Sequence, residues 1–145
     1  MANSLLRVGV AGCGEAARIH VDRLLNDPDV EVVGCADAVR ESAEAMAALI
    51  EGRGKGKPAV LGDFRALLDL RPDAVGIFTP HLLHYRQAMD ALQAGVHVFI
   101  EKPLSTNSQE ADDIANLARG RMLKVGVGHQ YRLRPSLIEA RKRLA

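Results

Sequence analysis

The sequence of 145 residues has few aromatic side chains: three phenylalanines, two tyrosines and no tryptophan. Proteins that bind single-stranded nucleic acid stack the bases on aromatic side chains and hold the phosphates with a basic surface. The chain has no marked excess of basic residues either, because 18 acidic residues offset its 19 lysines and arginines to a formal net charge of +1. We therefore expect no nucleic-acid partner.

Cysteine and long apolar runs are also scarce. Cys13 and Cys35 are too few for a disulfide framework or a metal-ligand pattern, so we expect two small buried residues and no metal site. No apolar run approaches the roughly 18 residues that a membrane helix needs. The segment before Val10-Ala11-Gly12-Cys13 superficially has the form of a lipoprotein signal, but it is short and broken by Arg7. These absences predict a cytoplasmic protein with no membrane partner.

The chain does have an ordinary globular composition, 48% hydrophobic and 26% charged, at a length that suits one domain. Short apolar runs alternate with helical patterns, which predicts an α/β fold with a mostly parallel sheet covered on both faces. Strands are predicted over residues 8–11, 30–36, 59–61, 74–78, 96–100 and 123–127. Helices are predicted over residues 17–25, 40–50, 64–70, 80–94 and 108–119, and from residue 135. Right-handed crossovers then give a doubly wound Rossmann sheet with strand order 3-2-1-4-5-6.

Polar residues at the predicted helix starts indicate three caps. Asp63 is the expected N-cap of the third helix. Thr79 is the expected N-cap of the fourth, with Pro80 at its first helical position. Thr106 and Gln109 have the spacing of a capping box at the start of the fifth.

A glycine-rich turn follows the first predicted strand, in the order Gly12-Cys13-Gly14-Glu15-Ala16-Ala17. Strand, glycine turn and helix in this order are the context of a dinucleotide-binding loop. Gly12 permits the tight turn, Gly14 lets a pyrophosphate approach the backbone, and Ala17 lets the helix pack close to the strand. The helix N-terminus favours an anion at the same place. Methyltransferases and plain tight turns share such a loop, so these alternatives stay open.

Asp37 ends the second predicted strand, roughly 20 residues beyond the loop, where an acid hydrogen-bonds the ribose of a dinucleotide. The alternative is that Asp37 caps the helix after it. Gly12, Asp37, Thr79, Lys102 and Gln130 each fall just past a predicted strand. Because the carboxyl ends of parallel strands meet at one edge of the sheet, we expect these residues to converge on a ligand site there.

Lys102 lies between Glu101 and Pro103, directly after an apolar strand. A lysine at the ligand edge of a sheet is a candidate for proton transfer. The alternative is a solvated turn lysine paired with Glu101. Pro103 also permits a cis peptide bond at Lys102.

Two other groups of residues have alternative interpretations. Residues 51–58, rich in glycine and lysine, predict a flexible solvated loop, with phosphate binding by Arg53, Lys55 or Lys57 as the less favoured alternative. His81 and His84 have the spacing of two metal ligands on one helix. No further ligand cluster accompanies them, so helix-face or cofactor-side histidines are expected.

The combined order of these motifs resembles the N-terminal domain of the glucose–fructose oxidoreductase, inositol dehydrogenase and rhizopine-catabolism oxidoreductase family. The resemblance covers nearly the whole chain. Its motifs are Gly12-Cys13-Gly14 with His20, Asp37, Thr79-Pro80 with His84, residues 91–98, Glu101-Lys102-Pro103-Leu104, and residues 128–135.

The resemblance implies an NAD(P)-dependent oxidoreductase acting on a sugar, polyol or related alcohol, with Lys102 as the catalytic residue. It implies NAD rather than NADP, because Asp37 would repel a 2′-phosphate, although Arg40 weakens that preference. The implied cofactor-binding residues are Gly12, Gly14, Glu15, Ala16, Ala17, Asp37, Arg40, Thr79, Pro80, His84, Glu101, Lys102 and Gln130.

Family members continue into a second domain that carries the substrate pocket and the oligomer interface, so a homo-oligomer is possible. We expect residues 1–128 to form the dinucleotide-binding domain and residues 129–145 to begin the connection to a substrate domain that this chain lacks. That absence leaves open a non-catalytic dinucleotide-binding module, such as a sensor or partner subunit. A nucleotide-sugar or methyl-donor binder is a further alternative, but it does not account for Glu101-Lys102-Pro103.

Overall fold

The computed structural model describes residues 5–144. Six strands and six α-helices alternate along the chain for most of its length. The strands are β1 (Leu6–Ala11), β2 (Val30–Ala36), β3 (Ala59–Leu61), β4 (Ala74–Ile77), β5 (His97–Ile100) and β6 (Val125–Val127). The helices are α1 (Glu15–Leu24), α2 (Arg40–Gly52), α3 (Phe64–Asp69), α4 (His81–Gln93), α5 (Ser108–Gly120) and α6 (Pro135–Leu144), with a 3-10 turn at Gln130–Leu133.

The strands form one sheet in the order β3-β2-β1-β4-β5-β6, and every neighbouring pair is parallel. The predicted doubly wound sheet and its strand order are therefore confirmed. The chain leaves β1 toward β2 on one side and reaches β4 on the other, so the direction of winding reverses between β1 and β4. Such a reversal opens a crevice at the carboxyl ends of these two strands.

The buried apolar residues form two clusters, one on each face of the sheet. Val10 and Ala11 are adjacent in β1, so their side chains point to opposite faces, and they belong to different clusters. Residues of α1 and α2 pack in the cluster of Val10, and residues of α4 and α5 pack in the cluster of Ala11. Helices on both faces explain why the strands are apolar along most of their length.

The helix caps differ in part from the prediction. Asp63 does cap α3, accepting hydrogen bonds from two backbone amides. Thr79 does not cap α4, because its hydroxyl instead donates to Oε1 of Gln87 at 2.6 Å, and Pro80 occupies the N-cap position. The predicted capping box is also wrong: Asn107 caps α5. A carboxylate of that helix, Glu110, accepts from the backbone amide and the hydroxyl of Thr106.

The glycine- and lysine-rich segment is more ordered than predicted. α2 extends into it as far as Gly52. The guanidinium of Arg53 donates to Asp22 and Asn26, and Nζ of Lys55 donates to the carbonyl of Asp27. These bonds attach the segment to the end of α1.

The last part of the described chain lies apart from the core. Residues 129–144, which include the 3-10 turn and α6, are exposed throughout. None of the helices in residues 5–144 combines the length and apolar character that crossing a membrane requires.

α3 packs unusually close to the sheet, because two glycines lie beneath Leu67. A Cβ at Gly34 would lie 2.9 Å from Cδ1 of Leu67, and one at Gly9 would lie 3.0 Å from its Cγ. The Leu67 side chain is completely buried. It therefore fills the space that the two missing side chains leave.

Replacing Leu67 with alanine should lower the free energy of unfolding by about 2–5 kcal/mol, because a cavity would remain above the two glycines. Urea denaturation measures the change. The control is Leu82→Ala, since Leu82 is 84% exposed and its loss should cost less than about 0.5 kcal/mol. Equal losses in the two variants would contradict the assigned packing.

Candidate functional site

The site begins where β1 ends, at a contact between two backbones. Gly12 has a φ of +80°, and a Cβ there would lie 2.7 Å from the carbonyl carbon of Phe78 and from the amide nitrogen of Thr79. The amide of Gly12 donates to the carbonyl of Ala36 at 2.8 Å. The turn after β1 is thus held between the ends of β2 and β4, and it has no room for a side chain.

Gly14 has the opposite surroundings. A Cβ at Gly14 would meet no atom within 4 Å, and its φ of −78° is open to any residue. Gly14 is the N-cap of α1 and supplies no side-chain hydrogen bond. The amides of Glu15, Ala16 and Ala17 precede the first bond of the helix, which runs from Arg18 to the carbonyl of Gly14. Glu15 and Ala16 are exposed, so their amides lie beside open space at the positive end of a helix and suit an anion such as a pyrophosphate.

Asp37 lies directly beside this loop. Oδ2 of Asp37 accepts a hydrogen bond from the amide of Cys13 at 2.7 Å, and Oδ1 accepts from the amide of Val39 at 2.8 Å. Val39, not Asp37, is the N-cap of α2, so the alternative role of Asp37 as a helix cap is wrong. Its carboxylate instead joins the end of β2 to the glycine loop and cannot swing away without breaking both bonds.

A cleft of about 500 Å³ lies over the carboxyl ends of the strands. It brings together five of the residues predicted from the sequence: Gly12, Gly14, Asp37, Thr79 and Pro80. It is also lined by residues that the sequence analysis missed: Ala38, Val39, Gly62, Asp63, Phe64, Leu83 and Gln87. Ala38 and Val39 follow β2, and Gly62, Asp63 and Phe64 follow β3. These five could have been found by treating the residues after every strand as candidates for the site.

The other predicted residues lie outside the lining of this cleft. Glu15 and Ala16 are exposed at the start of α1, and Ala17 is buried beneath the loop. Arg40 is exposed and its Nε donates to Glu44 at 2.8 Å. Gln130 is exposed in the 3-10 turn. Residues 81–103 supply the remaining three: His84, Glu101 and Lys102.

Glu101 connects the end of β5 to α1. Oε1 of Glu101 lies 3.0 Å from Nε2 of His20, and Oε2 accepts from the amide of Lys102 at 2.8 Å. The His20 ring stacks on Phe78 with 5.2 Å between ring centroids and lies 5.0 Å from Phe99. Glu101 therefore pairs with His20 rather than with the lysine side chain.

Lys102 is exposed at this end of the sheet, and the peptide bond to Pro103 is cis. His84 is completely buried, with Nδ1 at 2.7 Å from the carbonyl of Pro103 and Nε2 at 2.9 Å from the carbonyl of Thr79. His81 is exposed on the same helix. Within residues 5–144 no three histidine, cysteine or acidic side chains are grouped so as to hold a metal ion.

Both cysteines are free thiols in the apolar core, as predicted. The Cys13 thiol donates weakly to the carbonyl of Ala36 at 3.8 Å. A hydrogen bond with Cys13, together with burial, raises the pKa of the Cys35 thiol. Because the thiolate is the reactive form, Cys35 is a packing residue here.

Relatives of the chain include sugar dehydrogenases. The chain is 32% identical over 137 residues to the D-glucoside 3-dehydrogenase of Escherichia coli (strain K12), covering 92% of this chain and 38% of that protein. It is 36% identical over 132 residues to the UDP-N-acetylglucosamine 3-dehydrogenase of Acidithiobacillus ferrooxidans, covering 91% and 39%. The chain thus spans well under half the length of these relatives.

Solved structures of a dehydrogenase and a ketoreductase are also similar to this chain. A crystal form of the Acidithiobacillus ferrooxidans enzyme superimposes with a TM-score of 0.81 at 32% identity, covering 96% of this chain and 43% of that one. A mutant 3-ketoreductase from Actinomadura kijaniata, solved with TDP-benzene and NADP, superimposes with a TM-score of 0.83 at 29% identity, covering 97% and 44%.

A family model described as the oxidoreductase family with an NAD-binding Rossmann fold matches residues 6–129. The match covers most of the chain, includes the glycine loop and Lys102, and agrees with the resemblance seen in the sequence motifs. This protein therefore belongs to that oxidoreductase family and carries its NAD-binding Rossmann fold.

Proposed function

We propose that this chain is the cofactor-binding part of an oxidoreductase that transfers hydride between NAD and a hydroxyl or keto group of a sugar or polyol. The observation that carries the proposal is the contrast between two glycines: Gly12 closes the turn, while Gly14 leaves a space beside the exposed start of α1. No observation favours a non-catalytic module. Membership of an NAD-binding oxidoreductase family argues against the alternative that the loop binds a methyl donor.

The residues of the cleft fit a dinucleotide. The amides of residues 14–17 would hold the pyrophosphate. Asp37, on the β2 side, would accept hydrogen bonds from the adenosine ribose, and the β4 side, with Thr79 and Pro80, would receive the nicotinamide half. The Asp37 carboxylate is held beside the ribose site by two backbone amides, and Arg40 is paired with Glu44. Both features favour NAD over NADP.

Lys102, which is exposed at the same end of the sheet, is the proposed proton-transfer residue. A bound nicotinamide supplies the carbon that accepts or releases hydride. The ammonium of Lys102 would exchange a proton with the oxygen of the reacting alcohol or ketone. Glu101 would fix the backbone of Lys102 through the 2.8 Å hydrogen bond to its amide. Gln130, which follows β6, would line the nicotinamide half of the site.

The relatives' names indicate which substrates to test first. Two of them are 3-dehydrogenases of glucosides and nucleotide sugars, and the solved Actinomadura kijaniata protein is a 3-ketoreductase. We therefore propose a sugar oxidised or reduced at carbon 3 as the leading substrate. We also propose a cytoplasmic location and a homo-oligomer for the full-length protein.

Titration with NADH, followed by nicotinamide fluorescence or calorimetry, tests the proposed function directly. Saturable binding is expected. The absence of any response up to millimolar NADH would reject it.

Gly14→Ala should weaken NADH binding by at least about tenfold without lowering stability, because the new methyl group projects only into the space reserved for the pyrophosphate. The matched control is Gly120→Ala at the end of α5, where a Cβ also meets nothing within 4 Å. That variant should bind as the wild type does. Gly12→Ala should lose stability as well as binding, since its Cβ meets backbone at 2.7 Å.

Asp37→Asn should shift the preference between NADH and NADPH toward NADPH by about 10- to 100-fold, as expected for a hydrogen bond to a charged group. The ratio of the two dissociation constants is the measurement. Asp63→Asn removes another carboxylate from the cleft while keeping a good N-cap, so its ratio should stay unchanged. A similar shift in both variants would mean that Asp37 has no specific part in the preference.

Lys102→Met should lower turnover of sugars that are oxidised or reduced at carbon 3 by about 10²- to 10⁴-fold in the full-length protein, while leaving the dissociation constant of NADH unchanged. Lys124→Met is the control, because Lys124 is also exposed but precedes β6 at the opposite edge of the sheet. Wild-type turnover in Lys102→Met would exclude the proposed proton transfer.

A further inference from the structure

His84 stands out among the described residues because it is polar yet completely buried. Its ring lies between two segments that are distant in sequence. Nδ1 lies 2.7 Å from the carbonyl oxygen of Pro103, and Nε2 lies 2.9 Å from the carbonyl oxygen of Thr79. The ring therefore faces backbone on both sides and is not among the residues that line the cleft.

Both partners of His84 are carbonyl oxygens, which only accept hydrogen bonds. A neutral imidazole carries one N–H and donates to one of them at a time, whereas the doubly protonated ring donates to both. The neutral ring thus satisfies one of the two turn carbonyls, and the doubly protonated ring satisfies both. Leaving such a carbonyl without a partner costs about 1–3 kcal/mol.

The two turns that His84 contacts border the β4 side of the cleft. Thr79 follows β4 and lines the cleft, and its hydroxyl is already fixed by Gln87 of α4. Pro103 directly follows Lys102, whose amide is fixed by Glu101. Thus two side chains of α4, Gln87 and His84, contact the turn at Thr79. His84 also contacts the turn at Pro103.

We propose that His84 is a positioning residue, not a cofactor contact. Because its ring fills the space between the two turns and lies within hydrogen-bonding distance of each, it sets the distance between the Thr79-Pro80 backbone and the Lys102-Pro103 backbone. That distance determines how the nicotinamide ring is held and where Lys102 stands beside it. The effect of His84 on the nicotinamide rests on the proposed function. The link between the two turns does not, because it is given by the contacts of His84 alone.

Paired titrations with NADH and ADP-ribose test the effect on the ligand, since ADP-ribose lacks the nicotinamide. His84→Gln retains an amide donor that reaches one carbonyl, and His84→Ala retains none. ADP-ribose should bind wild type and both variants equally. NADH should bind about tenfold more weakly to His84→Gln, the equivalent of 1.4 kcal/mol, and more weakly still to His84→Ala. The control His81→Gln, on the exposed side of the same helix, should leave both affinities unchanged.

An equal loss of both ligands in His84→Gln would show a general structural role and overturn the inference, as would unchanged NADH binding. If His84→Ala does not fold, His84→Gln carries the comparison. Failure of the wild type to bind either ligand would instead count against the proposed function.

Amide hydrogen exchange of the unliganded chain tests the link without any ligand. In His84→Gln, residues 79–83 and 101–106 should both exchange faster than in wild type, while residues 30–50 keep their rates. Faster exchange in neither segment, or equally across the whole chain, would overturn the inference even if NADH binds.

Discussion

The close approach of two backbones at Gly12 is the constraint on which the rest of the site depends. Since a Cβ would lie 2.7 Å from the Phe78–Thr79 peptide, the turn after β1 can rest directly on the end of β4. That contact places the first amides of α1 over the point where the sheet reverses its winding. It also brings Cys13 within hydrogen-bonding distance of Asp37. An anion site and a carboxylate for a ribose thus arise from one backbone contact.

Much of this arrangement could be predicted because it depends on local sequence. Apolar runs separated by helical patterns predict a parallel sheet, and the rule of right-handed crossovers gives its strand order. Glycine at positions 12 and 14 after a buried strand indicates a nucleotide-binding turn. Asp63 was recognised as a cap because its partners are the next few amides. In each case the interacting groups lie close together in the chain or follow from the rules of parallel sheets.

What could not be predicted depends on partners distant in sequence. The carboxylate of Asp37 had a local alternative as a helix cap, whereas nothing local indicates its bond to the amide of Cys13, 24 residues earlier. Threonine is a common N-cap residue, yet the Thr79 hydroxyl donates its hydrogen bond to Gln87, eight residues later. His84 on sequence grounds was a helix-face or cofactor-side histidine, because nothing local indicates that the Pro103 carbonyl comes within 2.7 Å of it.

The contact between His20 and Glu101 has a consequence for how such a chain can change during evolution. Glu15 is the first residue of α1, at the anion site. His20, five residues after Glu15, contacts the carboxylate of Glu101. In an α-helix this separation corresponds to an advance of about 7.5 Å, and inserting one residue rotates everything beyond it by about 100°. A single insertion or deletion within this stretch would turn the imidazole away from Glu101 while leaving the glycine loop intact. Substitutions can therefore accumulate at the exposed positions of this stretch, but its length cannot vary.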